Sequence, residues 1–316
     1  HKELSRISRA AVIFRRENIG TRVVIHPRSR PYSNRPLADH SRDSPMLFSF
    51  WSGQVGWMER LCVASAIAVG EEITVFTYGD RDKLSAQLGC RVCDAATIIS
   101  GAEREEVFKL GVAHFSDLFR LQGISKGCGT WIDLDIIFLR PLPVSEYLFG
   151  WQNDDRIGNS VLRLPPDSEL LRQYLSFFYE QPMRRFVMPW MPWPTKCTRF
   201  VKALAASVMG ARPPAPKYGP AALTYFAKLC RRDHLALPIK VFYPIPIRGP
   251  AITRVAEPGF IESLIAPETV CVHLWRSTFV SFNGLDVPET GWLAGQVERL
   301  LAPRASQAFA DRRHSM

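Results

Sequence analysis

Two aspartates, Asp133 and Asp135, lie inside an apolar run from Thr130 to Leu139. Carboxylates are rarely buried without a partner, and residues i and i+2 of an extended strand point to the same side. The run therefore predicts a buried strand whose two carboxylates converge on one point. Like charges held this close repel unless a cation lies between them, and hard oxygen ligands suit Mg²⁺ or Mn²⁺. We expect a divalent metal here that binds a diphosphate.

A bare Asp-x-Asp also fits a solvated strand end, so the surrounding elements decide between the two interpretations. Strand-like and helical segments alternate along the chain, which predicts the α/β class. Met46–Trp51 reads as a first strand, residues 52–56 as a loop, Trp57–Val69 as a helix and Glu72–Tyr78 as a second strand. Strand, glycine-containing loop, helix and strand are the opening of a nucleotide-binding sheet.

The remaining chain continues this alternation. Ala102–Gln122 predicts one helix, on which Asp117 and Arg120 are neighbours. Met188–Pro194 predicts an ordered loop, because its prolines exclude a helix interior or a central strand. The other predicted strands are Leu148–Trp151, Ser160–Leu164, Val241–Pro244 and Val270–Trp275, and the other predicted helices are Pro166–Tyr179, Gly219–Cys230 and Thr290–Leu301.

Composition bounds the function classes. The 316 residues are 47% hydrophobic, which is enough for one large domain or two small ones. The net charge is +10, with arginines crowded towards both ends. Such ends are typical of solvated tails, and contact with anionic lipid or nucleic acid is the open alternative. A nucleic-acid-binding protein would need a basic stripe with interleaved aromatic residues on the fold itself, so no nucleic acid is expected.

The sequence carries only weak signals for a particular cellular compartment. We expect no membrane span, because no apolar run approaches about 18 residues. His1–Gly20 lacks the apolar region of a secretory signal. The seven cysteines are odd in number and scattered, and Cys90-x-x-Cys93 has no second pair, so neither a disulfide framework nor a zinc site is predicted. Reduced thiols and a cytoplasmic location fit best, with peripheral contact at the inner face of the membrane left open.

The residues around the two aspartates resemble a known family. His114–Arg120, followed by a short spacer and Gly129–Asp135, is similar to the sugar-binding region of glycosyltransferase family 32. That family includes α-1,4-galactosyltransferases, α-1,4-N-acetylglucosaminyltransferases and Och1-type mannosyltransferases. Its pattern is Ser-Asp-x-x-Arg, then Gly-Gly-x-Tyr-x-Asp-x-Asp. The first part is intact here, whereas Cys128 replaces the first glycine and Trp131 replaces the tyrosine.

The resemblance extends over roughly residues 46–280. Phe48–Gly53 is similar to the family's first strand and nucleotide-side loop, and Asn159–Leu162 to its asparagine-containing strand. Lys217–Thr224 and Val272–Trp275 are similar to later segments of the α-1,4 branch. The resemblance implies the GT-A fold of nucleotide-diphospho-sugar transferases, with a Rossmann-like mixed central sheet flanked by helices.

The resemblance also implies roles. Asp135 would be the direct metal ligand, and Asp133 would bind ribose or a metal-bound water. Asp117 and Arg120 would bind the donor sugar and the phosphates, although an i,i+3 surface ion pair is the simpler interpretation. Asn159 would lie near the reacting carbon.

Residue type supplies the other candidates. Trp51 could stack on the nucleotide base or be a core aromatic. His273 could be the third metal ligand or a structural histidine. Trp275, with Arg276 and Ser277, could close over the diphosphate. Aromatic faces pack well on sugar rings, so Trp190 together with Tyr218 and Gly219 could form an acceptor wall, the alternative being proline-rich structural loops.

These observations predict a metal-dependent glycosyltransferase. It would move a hexose from a nucleotide sugar, UDP-linked by preference, to a glycan or lipid-linked glycan. The family resemblance implies that the configuration at the anomeric carbon is retained. A phosphohydrolase would need more acidic ligands for a two-metal site. An inactive relative and a basic nucleic-acid or anion-binding protein remain alternatives. We expect a disordered basic arm over residues 1–44, the transferase domain over 45–285 with its donor half at 45–145 and acceptor half at 146–285, and a helix and tail over 286–316.

Overall fold

The computed structural model describes residues 46–108, 111–180, 188–209, 218–246, 250–284 and 286–302. The basic arm predicted for residues 1–44, the tail after residue 302 and Lys217 lie outside the described residues. The division of residues 45–285 into donor and acceptor halves stays a prediction.

The centre of the fold is a mixed sheet of six strands in the order β3-β2-β1-β4-β7-β6. Strands β1 to β4 are parallel, whereas β7 pairs antiparallel with both β4 and β6. Strands β5 and β8 form a second, antiparallel pair. The strands are β1 Leu47–Phe50, β2 Ile73–Thr77, β3 Arg91–Asp94, β4 Thr130–Ile132, β5 Ile136–Phe138, β6 Leu148–Asn153, β7 Arg156–Arg163 and β8 Cys271–His273.

Helices cover both faces of this sheet. The helices are α1 Trp57–Ala68, α2 Arg81–Leu88, α3 Gly101–Phe108, α4 Val112–Ser125, α5 Glu169–Glu180, α6 Trp193–Val208, α7 Pro220–Leu229, α8 Ile239–Phe242, α9 Phe260–Leu264, α10 Arg276–Asn283 and α11 Gly291–Leu301. Successive strand residues point to opposite faces, so Leu47 packs in the core that contains α1, and Phe48 in the core that contains α4. The predicted α/β class with a mixed, helix-flanked sheet is confirmed. Among the described residues, no helix is long and apolar enough to cross a membrane.

The turn before β4 explains which glycine the family-like pattern retains. Gly129 has a φ of +107°, and a Cβ added there would lie 2.0 Å from the carbonyl oxygen of Met46. Any side chain would therefore disrupt the start of β4, where the Thr130 N–H donates to that same carbonyl at 3.0 Å. Cys128 is only half-buried and meets no such constraint, so replacing the first glycine of the pattern is tolerated.

Three sequence-predicted elements outside the run from Thr130 to Leu139 are wrong in detail. The helix predicted over Ala102–Gln122 is two helices, α3 and α4, and α4 starts after Gly111, whose φ is +109°. The strand predicted over Val241–Pro244 is instead the short helix α8 followed by irregular chain. The loop predicted over Met188–Pro194 ends early, because α6 begins at Trp193. A proline at the second helical position is compatible with a helix, since the first-turn N–H groups have no intrahelical partner.

Candidate active site

The Asp133-Leu134-Asp135 run lies between two strands rather than inside one. Strand β4 ends at Ile132 and β5 begins at Ile136, so the predicted continuous strand from Thr130 to Leu139 is wrong. All residues of both short strands are buried, so the two strands look like one continuous apolar run in the sequence. They nevertheless belong to different sheets. The carboxylates therefore lie just beyond the C-terminal end of β4, where the chain leaves the six-stranded sheet.

This position is the topological switch point of the sheet. From β1 the chain passes to β2 and β3 on one side, and it returns to β4 on the other side of β1. Open α/β sheets bind ligands in the crevice outside the carboxyl ends of strands at such a reversal. The loop after β1 begins at Trp51, and the loop after β4 contains Asp133. The Ser49 hydroxyl donates to the Ile132 carbonyl oxygen at 2.7 Å and ties the ends of the two strands together.

Pairing of β5 with β8 brings His273 to the aspartates. Ile136 lies opposite His273 in the antiparallel register, and the Leu274 N–H donates to the Asp135 carbonyl oxygen at 2.9 Å. His273 Nε2 lies 3.1 Å from Asp135 Oδ1 and 3.1 Å from the Ser160 hydroxyl oxygen. The second oxygen of Asp135 accepts a 2.7 Å hydrogen bond from the Arg276 N–H. A long-range strand pair therefore completes the cluster.

The cluster has the donor set of a cation site. One ligand atom from each of Asp133, Asp135 and His273 lies within 4.8 Å of the others. Metal–ligand bonds near 2.1 Å place neighbouring ligand atoms about 3–4 Å apart, so little movement would bring these three atoms onto one ion. Two carboxylates and an imidazole thus fit a divalent cation. This agrees with the metal chemistry predicted for Asp133 and Asp135 and with the ligand prediction for His273, although the identity of the metal is open.

Electrostatics holds the pair Asp135–His273 in its charged form. Burial by itself would raise the pKa of Asp135, but the charge and hydrogen bond of His273 and the N–H of Arg276 lower it below its ordinary value. Burial would likewise lower the pKa of His273, but Asp135 and then Asp133 raise it above its ordinary value. Since metal ligation requires neutral imidazole, a cation binding here would displace the proton of His273.

Arg120 organises the other side of the cluster. Its guanidinium is buried, and it donates to the Asn159 carbonyl oxygen at 2.7 Å and to Asp133 Oδ1 at 3.3 Å. It also lies 3.7 Å from Asp117 Oδ1 and packs over the Trp131 ring. The simpler interpretation of Asp117 and Arg120 as a surface ion pair does not hold, because both side chains are largely buried and both belong to this network.

Asp117 lies next to Asn159 of β7 and Gly219 at the start of α7, two residues that could contact a ligand. Its Oδ1 accepts a 3.1 Å hydrogen bond from the Asn159 amide. Burial raises the pKa of Asp117 from 3.8 to about 6, with Arg120 and Asn159 acting against that shift. A Cβ added at Gly219 would lie 3.4 Å from the Asn159 amide nitrogen and 3.5 Å from the Asp117 carboxylate. The start of α7 therefore lies directly against this carboxylate.

A second link joins the loop after β1 to Asp135. The Arg276 guanidinium lies 5.5 Å from the centre of the Trp51 ring, and its Nε donates to Glu59 Oε1 at 2.7 Å. The other Glu59 oxygen accepts from the Gly56 N–H at 2.6 Å, so one buried carboxylate holds both the loop and Arg276. Sequence reasoning missed Glu59. Its signal is an acidic residue at the third position of a helix that follows a glycine cap.

Three predicted ligand-binding aromatics are buried or half-buried and pack against other aromatic rings. Trp275 is buried, stacks on Tyr243 and donates from its indole N–H to the Ile245 carbonyl oxygen at 2.7 Å. Tyr218 is fully buried and stacks on Phe178, and the half-buried Trp190 packs edge-on against Tyr218. Contact of Trp275 with the donor, and of Trp190 and Tyr218 with the acceptor, stay predictions.

Comparison with solved structures gives remote similarity only. A solved structure titled "PaToxG Glycosyltransferase" aligns with 82% of this chain and 84% of its own, at 10% sequence identity and a TM-score of 0.39. No protein-family model and no curated protein sequence matches the chain. Membership in glycosyltransferase family 32 therefore stays a prediction.

Proposed function

We propose that this chain is a divalent-metal-dependent glycosyltransferase with a nucleotide-sugar donor. The observation that carries the proposal is the cluster of Asp133, Asp135 and His273 at the switch point of the sheet. A cation held there would lie between two parallel-strand ends whose crevice is the usual place for a nucleotide. The buried cation Arg120, within 3.3 Å of Asp133, adds a fixed positive charge beside it.

The proposed donor is a UDP-linked hexose, as the family resemblance implies. Its base would stack at Trp51, next to the Arg276 guanidinium. Its diphosphate would bind at the metal, and its sugar hydroxyls would contact Asp117 and Asn159, which already exchange a hydrogen bond across the site. When bound, the metal neutralises the charge that develops on the departing diphosphate, which is the main electrostatic requirement for breaking a glycosidic C–O bond.

The residues of the chain would position rather than attack. His273 and the Arg276 N–H orient Asp135, and Arg120 orients Asp133. For the proposed retention, the acceptor hydroxyl attacks the anomeric carbon from the face that the diphosphate leaves. The bond from that carbon to the phosphate oxygen breaks, the new C–O bond forms, and the departing phosphate oxygen takes the hydroxyl proton. The acceptor would be a glycan or glycolipid that approaches beside Gly219.

A thermal-shift panel tests this function. UDP-Gal, UDP-Glc, UDP-GlcNAc and GDP-Man are each added with Mn²⁺, with Mg²⁺ or with EDTA, and hydrolysis of each donor is followed in parallel. We expect a rise in Tm with a UDP-sugar that requires the metal, since a ligand that binds only the folded state stabilises it. Mn²⁺ should act better than Mg²⁺, because an imidazole makes the ligand set softer than Mg²⁺ prefers.

The variant Asp135→Asn sharpens this test. It should remain folded but lose the metal-dependent shift, and donor hydrolysis should fall on the order of a thousandfold, as when a dominant electrostatic stabiliser is removed. Asp154→Asn is the matched control, because Asp154 is an exposed aspartate outside the cluster. An unchanged shift in Asp135→Asn would remove the metal role. No shift of the wild type with any donor would favour the inactive or anion-binding alternatives.

A further inference from the structure

Helix α6 exposes an apolar stripe that the candidate site does not use. Positions 193, 200, 204 and 208 fall within one arc of the helix, with position 201 beside them. The side chains on the stripe are between 59% and 81% exposed: Trp193, Phe200, Val201, Leu204 and Val208. Monomeric proteins rarely leave such a contiguous apolar surface open to water, so the stripe indicates a binding surface.

The other side of the helix carries only positive charge. Lys196, Arg199 and Lys202 lie along the arc opposite and beside the stripe. The sequence has no aspartate or glutamate between Glu180 and Asp233, so the formal charges in this part of the sequence are all positive. An apolar stripe with a tryptophan, backed by a basic face, is the pattern of a helix that lies in the interface of an anionic membrane.

We propose that α6 is a membrane-docking helix that binds anionic phospholipid surfaces. Charge complementarity selects this occupant over a second copy of the chain, because two such helices would bring like charges together. The helix would lie parallel to the membrane, with its apolar stripe among the acyl-chain ends and its lysines at the headgroups. This proposal does not rest on the glycosyltransferase assignment.

The segment just before α6 packs next to residues of the candidate site. Trp190 lies three residues before α6, and its ring packs 5.2 Å from that of Phe177 and 6.4 Å from that of Tyr218. Tyr218 directly precedes Gly219, whose backbone lies against Asp117. A membrane-bound α6 would therefore keep the Gly219 side of the site close to the bilayer, where a lipid-linked acceptor would be found.

Vesicle flotation of the full chain tests the proposal. The vesicles contain either phosphatidylcholine alone or equal parts of phosphatidylcholine and phosphatidylglycerol. We expect the chain to float with the mixed vesicles and much less with phosphatidylcholine alone. The double variant Phe200→Asp with Leu204→Asp should lower the partition coefficient on the order of a hundredfold, because two apolar side chains lose their burial. Phe282→Asp is the matched control, since Phe282 and Phe200 are both 63% exposed.

A charge variant separates α6 from the basic ends of the chain. Lys196→Gln with Lys202→Gln should weaken binding to the mixed vesicles about fivefold per charge. Lys83→Gln with Lys240→Gln removes the same charge from α2 and α8 and should weaken it less. Equal loss in the two charge variants would overturn the proposal.

Two further results would also overturn it. One is failure of the wild type to float with the mixed vesicles, including the case in which light scattering shows a dimer that Phe200→Asp with Leu204→Asp dissociates. The other is equal flotation of that double variant and Phe282→Asp. Circular dichroism melting of every variant shows that the comparison is between folded proteins.

Discussion

The two aspartates of the Asp133-Leu134-Asp135 run are held by different kinds of partner. Asp135, directly before β5, faces His273, whose imidazole is charged only while it holds a second proton. Asp133, directly after β4, faces the guanidinium of Arg120, a chemical group that carries a permanent charge in proteins. One carboxylate therefore has a partner whose charge can be replaced by a metal ion, and the other has a permanent one.

This difference divides the site into two parts. The exchangeable half consists of Asp135 and His273, and the fixed half consists of Asp133, Arg120, Asn159 and Asp117. At Asp135 the bound cation takes over the role of the imidazolium proton, so occupancy by metal and protonation of His273 compete. At Asp133 the arginine stays in place, and it also joins Asn159 and Asp117 into one network. We infer that the fixed half gives rigidity and the donor-sugar surface, whereas the exchangeable half gives metal dependence.

Removing the permanent cation should have the largest effect on stability. Arg120→Ala leaves Asp133 and Asp117 without their guanidinium, and breaking a buried ion pair from one side costs about 3 kcal/mol or more. Arg172→Ala is the control, because Arg172 makes an i,i+3 pair with Glu169 on the surface, where such pairs contribute less than about 1 kcal/mol. Urea unfolding measures both. Equal losses of unfolding free energy in the two variants would mean that Arg120 does not stabilise the fixed half more than a surface arginine would.

The pH dependence of Asp117 should be the next largest effect. Its pKa is about 6 in the folded protein against 3.8 ordinarily, so between these values the folded state holds a proton that the unfolded state has released. Stability contributed by this group therefore falls as pH rises through that window, by roughly 2 kcal/mol. Asp117→Asn removes this dependence while keeping the shape of the side chain.

The measurement is urea unfolding of wild type and Asp117→Asn at pH 4 and at pH 7. The wild type should lose stability from pH 4 to pH 7 because of Asp117, and the variant should not. The free energy of unfolding of the variant relative to the wild type should therefore rise, and the variant should lose donor hydrolysis. Asp155→Asn, at a 75% exposed aspartate, should show no such change in the difference. A pH-independent difference for Asp117→Asn would show that Asp117 is ionised in the folded state as easily as in water.

Local patterns predicted several elements of the fold, whereas the family resemblance supplied the residues of the fixed half. The apolar runs of β1 and β2 are buried on both faces, as parallel strands are, and the Pro220 start of α7 follows the usual preference of helix N-termini. Asp117, Arg120, Asp133 and Asn159 were nominated together from the family resemblance. The structure brings all four into one network, because α4 and β7 both pack beside β4.

The exchangeable half could not be derived in the same way. The neighbourhood of Asp135 and His273 depends on the pairing of β5 with β8, which are separated by more than a hundred residues, and no local pattern encodes a register. The apolar run from Thr130 to Leu139 reports burial but not sheet membership, so the break at Asp133 was invisible. In the same way, the buried residues of Val241–Pro244 fit one turn of α8 as well as a strand.

The smallest expected effect sharpens the comparison from the exchangeable side. Ser160 contributes a hydroxyl 3.1 Å from His273 Nε2, the nitrogen that faces Asp135, so a metal ion bound there would also meet the hydroxyl oxygen. Loss of a polar group next to a metal site typically changes metal affinity by about 10–100-fold. We expect Ser160→Ala to weaken Mn²⁺ binding about tenfold, measured by calorimetric titration in the presence of UDP. Ser49→Ala is the matched control, because Ser49 is another buried serine with one hydrogen bond, to Ile132.

Both serine variants should lose about 1 kcal/mol of stability, as expected for one hydrogen bond, so stability alone does not distinguish them. Only Ser160 touches the imidazole that has to give up its proton to the metal. If Ser49→Ala weakened Mn²⁺ binding as much as Ser160→Ala, the effect would come from loosening the sheet and not from the lost contact with His273. If neither variant changed the affinity, Ser160 would only fill space behind the ring.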